Sequence, residues 1–185
     1  ESPCKKKVFK NLHFERTGDS SYKTCLLYAK AENGLMVQNV TTLTPENIKL
    51  NGDAIFRMED CANMTLEDVT VVGTYSQNDK FGYAFNLRNI WNHRAKRVKA
   101  DGNWGVYGTN NMNITTLEDC EINRFDIHNY GRDVTMRNCR FFRLYNDFGA
   151  TFGNVRFEKC VFDGSKPYIN SGSYNTFVNV NVIFD

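Results

Sequence analysis

Apolar and polar positions recur along this chain in one short phrase: apolar, two polar positions, apolar, any residue, apolar. Centred on its middle apolar residue, the phrase occurs eight times, at Leu12, Val40, Val69, Val98, Cys120, Cys139, Cys160 and Val180. The intervals run from 19 to 29 residues. Three residues before each centre stand Phe9, Val37, Leu66, Ala95, Leu117, Met136, Phe157 and Phe177. Two after it stand Phe14, Thr42, Val71, Ala100, Ile122, Phe141, Phe162 and Val182. Immediately before it come Asn11, Asn39, Asp68, Arg97, Asp119, Asn138, Lys159 and Asn179.

The centre and the position two later follow the period-2 alternation of a strand with one buried face. Between them the residue is polar in every copy but one, Val161 being the exception. The three-residue step from the earlier apolar column breaks strict alternation and predicts a bend or bulge. Asn and Asp, which tolerate left-handed backbone, suit that bend. No 3.6-residue stripe of helix length runs through these segments. A strand that recurs with the same faces, joined by turns alone, stacks on its own neighbours at roughly 4.8 Å. The pattern therefore predicts an all-β chain wound as a parallel solenoid of about eight coils, forming one domain over residues 1–185. A propeller blade needs four strands, too many for the shorter repeats.

The first repeats are longer, through "TPENIKLNG" and "GTYSQNDKFG", so loops are expected to project there. The chain begins at Glu1 and stops at "NVNVIFD", inside a coil and without a polar cap. A bare solenoid end exposes strand edges, so a longer parent chain or a homo-oligomer through the coil ends is expected.

The runs "NMTLEDVTVVG", "VTMRNCRFFRL" and "VRFEKCVFDGS" resemble coils of right-handed parallel β-helix proteins of the pectate-lyase-like (pectin lyase-like) group. The resemblance spans nearly the whole chain. It implies a right-handed parallel β-helix, a carbohydrate-active role and a secreted, periplasmic or cell-surface location. Of the polygalacturonase motifs N-T-D, D-D, G-H-G and R-[IV]-K, only "RVK" at 97–99 is found, and the pectate-lyase signature R-x-P-x-x-R is missing. Site residues must therefore be sought by clustering.

Composition narrows the function classes. A net charge of +2 gives no electrostatic case for nucleic acid or an anionic membrane. No apolar run approaches a membrane span. Six cysteines include no C-x-x-C pair, which argues against zinc, and no metal site is expected among the residues. Cys120, Cys139 and Cys160 fall in the inward column and read as small core residues. Pairing among Cys4, Cys25 and Cys61 is left open. The glycosylation sequons at Asn39, Asn63 and Asn113 lie at or near the bend and read as products of the repeat.

Counting forward from the later centres gathers a polar and aromatic patch. Six residues on come Trp104, Asp126 and Tyr145; eight on come Val106, His128, Asp147 and Tyr168; Arg124 and Arg143 lie four on, with Tyr107 adjacent. Aromatic rings stack on the apolar faces of sugars, and paired carboxylates perform glycoside hydrolysis. Separations of roughly 5–5.5 Å give retention and 6.5–9.5 Å inversion. Asp126 and Asp147 are the expected acid and base or nucleophile, in either order, with His128 tuning their protonation. Arg124 and Arg143 are placed to hold a uronate carboxylate, and Trp104, Tyr107, Tyr145 and Tyr168 to contact the sugar chain. A glycoside hydrolase acting on polysaccharide or oligosaccharide, without cofactor, is the primary expectation. A polysaccharide lyase, with Arg124 or Arg143 as base and calcium on Asp side chains, is the near variant. The alternative is a non-catalytic β-helix, a glycan-binding module or a tailspike or adhesin segment.

Overall fold

The structure is a computed structural model describing residues 6–18, 25–45, 54–73, 76–77, 80–81, 83–101, 106–142, 146–148, 151–164, 167–169, 174–178 and 181–183. The described residues are all-β, with no helix among them. Eighteen strands join one strongly curled sheet whose pairings are all parallel. The antiparallel pair among the described residues, Ser76–Gln77 with Lys80–Phe81, lies inside the long insertion "GTYSQNDKFG".

Three series of strands make the sheet, one of them the short strands Lys99–Ala100, Glu121–Ile122, Arg140–Phe142, Val161–Asp163 and Asn181–Ile183, which continue the later halves of Val8–Glu15, Met36–Leu43 and Ala62–Val72 past the bend. The first runs through Val8–Glu15, Met36–Leu43, Ala62–Val72, the C-terminal halves of Tyr83–Lys96 and Val106–Glu118, then Gly131–Arg137, Thr151–Glu158 and Tyr174–Val178. Its register follows the sequence columns throughout. Phe9, Val37, Leu66, Ala95, Leu117, Met136, Phe157 and Phe177 are successive partners. The chain of partners from Phe14 through Thr42, Val71, Ala100, Ile122, Phe141 and Phe162 to Val182 is equally unbroken. From Val37 to Phe162, the described members of these columns and of the centre column are buried, so stacking removes one continuous apolar stripe from water.

The bend expected before each centre is a single left-handed residue. Asn11, Asn39, Asp68, Arg97, Asp119, Asn138 and Lys159 all have φ between 50° and 57°. Asn and Asp accept this conformation most readily, and their side chains bond along the stack. Asn39 Nδ2 donates to Asn11 Oδ1 at 3.0 Å, and Asn138 Nδ2 to Asp119 Oδ1 at 2.7 Å. Asn63 donates likewise to Asn33, at 2.8 Å, and itself accepts from Asn92. The amides of two sequons, Asn39 and Asn63, are thus engaged in side-chain ladders.

The second series, Leu27–Lys30, Ala54–Glu59, the N-terminal halves of Tyr83–Lys96 and Val106–Glu118, Arg124–Asn129, Asn146–Phe148 and Pro167–Ile169, was passed over by counting forward from the centres. Counted back, its spacing is nearly constant: Leu27, Phe56, Phe85 and Tyr107 each stand thirteen residues before a centre. Inside it Phe56, Phe85, Tyr107 and Phe125 stack as register partners, with ring centroids 5.1, 4.8 and 5.9 Å apart.

Cys61, Cys120, Cys139 and Cys160 are buried thiols outside any disulfide. Each of these four follows a left-handed residue and gives its Sγ–H to nearby carbonyls; Cys120 reaches Glu118 O at 3.2 Å and Cys139 reaches Arg137 O at 3.2 Å. They act as small core residues with a local donor.

Candidate functional site

Asp126 lies in the strand Arg124–Asn129, with Gly108 as register partner in the preceding repeat and Asp147 in the following one. The row extends to Asn86, Arg57 and Tyr28 on one side and to Tyr168 on the other. A constant count from the centres sets Asp126 level with Trp104 and Tyr145. The structure instead slides the register by two residues between Asp126 and Asp147, because the turn between strand series differs in length between repeats.

Residues two apart on a strand share a side, and Arg124 Nη2 donates to Asp126 Oδ2 at 2.8 Å. The pair is nearly dry, with side-chain exposures of 13% and 1%. Between them Phe125 turns into the core. Its N–H donates to the buried Asn146 Oδ1 at 2.6 Å, which ties this strand to the next repeat. On the other side Gly108, at φ 119°, allows close approach: a Cβ there would stand 2.2 Å from the Asp126 carbonyl oxygen. Tyr83 belongs to the same cluster. Burial pushes its hydroxyl above the usual tyrosine range, the Asp126 carboxylate adds to this, and Arg124 opposes it.

Of the other expected site residues, Trp104, Arg143 and Tyr145 lie outside the described residues. His128, Asp147 and Tyr168 are described by their strands alone. Tyr107 is fully buried, stacked between Phe85 and Phe125 with its hydroxyl bonded to His93. Its inward parity on the strand makes it a core residue and withdraws it from sugar contact. Arg124 already pairs with Asp126, so a uronate would have to compete for its guanidinium.

Neither the protein-family models nor the curated proteins compared with this chain give a match. Among the described residues no group of three or more His, Cys, Asp or Glu is placed to hold a metal ion, so no step through calcium is derived.

The structure also brings together residues that forward counting passed over. A surface groove of about 380 Å³ is lined by Asn89, Ile90, Trp91, Asn111, Asn113 and Tyr130. Trp91 and Tyr130 are 53% and 67% exposed, the most open of the large apolar side chains described. Counting nine residues back from the centres would have found the corner column Ala31, Asp60, Asn89, Asn111 and Tyr130, every member of it left-handed.

Proposed function

We propose that the chain is a right-handed parallel β-helix of about eight coils that acts on polysaccharide as a retaining glycoside hydrolase, with Asp126 and Asp147 as its carboxylates. The register partnership of these two residues carries the reading. Partners on adjacent strands stand roughly 4.8 Å apart, close to the carboxyl separation of about 5–5.5 Å that double displacement uses. Arg124 holds the Asp126 carboxylate at 2.8 Å, which assigns it as the nucleophile and leaves Asp147 as acid and then base. The unbroken register columns from Phe9 to Phe177 support the coiled architecture.

The test is a screen of polysaccharides for reducing-end release, with product anomers read by NMR. Asp126→Asn and Asp147→Asn are each expected to lower the rate about a thousandfold or more, with retained configuration. Full activity in either variant, or inversion, would sink the assignment.

The burial of Asp126 favours a second reading, a non-catalytic glycan-binding β-helix in which the Arg124 pair fastens adjacent coils. Binding without turnover on the same panel would select it.

A further inference from the structure

We infer that the groove between Trp91 and Tyr130 is a binding subsite for consecutive units of a neutral oligosaccharide chain. The inference takes its ligand class from the polysaccharide reading but does not depend on the carboxylate pair.

Two observations carry it. Large aromatic side chains are normally buried against a core, yet the two most open rings described here stand together in one groove. Between Trp91 and Tyr130 the lining is amide. Asn111 Nδ2 donates to Asn89 Oδ1 at 2.8 Å, and Tyr130 occupies the next corner of that ladder. A ladder bond uses one N–H and one lone pair of an amide, leaving a second donor and acceptor for hydroxyls.

The chemistry names the ligand. Pyranose rings offer an apolar C–H face to an aromatic ring and hydroxyls to amides. Among the described residues, none lining the groove is acidic or basic, which favours a neutral chain over a uronate or a sulfated one. Trp91 is paired in register with Asn113, and Asn113 with Arg132, two positions after Tyr130. Along the stack the two residues therefore sit two strand spacings apart, ~9.6 Å, and along the strand they are offset by two positions, ~6.6 Å, a separation of roughly 12 Å that two to three linked pyranose units span.

Calorimetry on the full chain would use cellohexaose, mannohexaose, xylohexaose and laminarihexaose, with hexagalacturonic acid as the acidic comparison. At least one neutral hexaose is expected to bind. Trp91→Ala and Tyr130→Ala should each weaken that binding roughly tenfold or more with unchanged thermal unfolding, since both side chains are exposed. Asp126→Asn should leave it intact, so loss of turnover in that variant judges the carboxylates alone. The inference is overturned if no neutral hexaose binds, if only the acidic one does, or if both aromatic variants bind as well as the parent. Sedimentation showing a dimer that Trp91→Ala dissociates would also overturn it, by assigning the groove to a second copy of the chain.

Discussion

The imidazole Nε2 of His93 and the hydroxyl of Tyr107 are hydrogen-bonded to each other inside the protein, with 1% and 0% of the two residues exposed. Burial lowers the His93 pKa from 6.5 to about 4, because the charged ring would be desolvated. The unfolded chain thus binds a proton at this site that the folded chain refuses between those values. Stability is expected to be full above pH 6.5 and to fall as the pH drops towards 4, by ~3 kcal/mol from this group. Urea titrations at pH 7 and pH 4 should show the decline, and His93→Gln should flatten it. Tyr107→Phe keeps the stacked ring but strands the imidazole, at a cost of about 1–3 kcal/mol.

Gly108 separates a backbone requirement from a merely small residue. Gly108→Ala places a Cβ against the Asp126 carbonyl at a positive φ, so a loss of about 2–4 kcal/mol is expected. Gly18, where an added Cβ would meet no atom within 4 Å, should accept alanine within about 0.5 kcal/mol. Thermal unfolding of the two variants checks the contrast.

Ile114 holds φ 54° with its side chain 42% exposed. A β-branched residue is poorly suited to that conformation, whereas the corresponding corners in the two preceding repeats carry Asn63 and Asn92. Ile114→Asn should therefore raise stability, by about 1 kcal/mol, with a higher unfolding midpoint. An unchanged or lower midpoint would refute the corner argument.

Cys139 sits between the sulfurs of Cys120 and Cys160, and these neighbours together with burial push its thiol well above the usual range. Bonding with Cys139 lowers the Cys120 and Cys160 thiols instead, but all four cysteines are buried, so a thiol reagent at mildly alkaline pH should leave Cys61, Cys120, Cys139 and Cys160 unmodified in the folded protein. All four should react once urea unfolds it. Peptide mapping after native labelling reads the difference, and rapid native modification of Cys139 would contradict its place in the core.

The register columns were legible because strand stacking admits one residue per position. Each of Leu117, Met136 and Phe157 meets the next at the same depth, so a single spacing of apolar residues encodes both the strand and its partner. The left-handed corner at Asn138 or Asp119 was legible for a related reason, as few side chains tolerate it. Forward counting reaches its limit at Asp126 and Asp147, which it nominates but sets two residues out of step; counting thirteen back from Cys139 and Cys160 brings them level, as the register does. Tyr107 and Trp91 show the same limit from opposite directions: both are aromatic residues in strands, yet one is in the core and the other in solvent.

The amino-acid sequence by itself determined the all-β character, the repeat and the residues that stack within the first strand series. Those follow from local periodicity and from steric rules that act on one or two residues. Tertiary structure alone decided the burial of the Arg124–Asp126 pair and the groove between Trp91 and Tyr130. Each depends on how side chains from different repeats pack together in space, which local periodicity does not record.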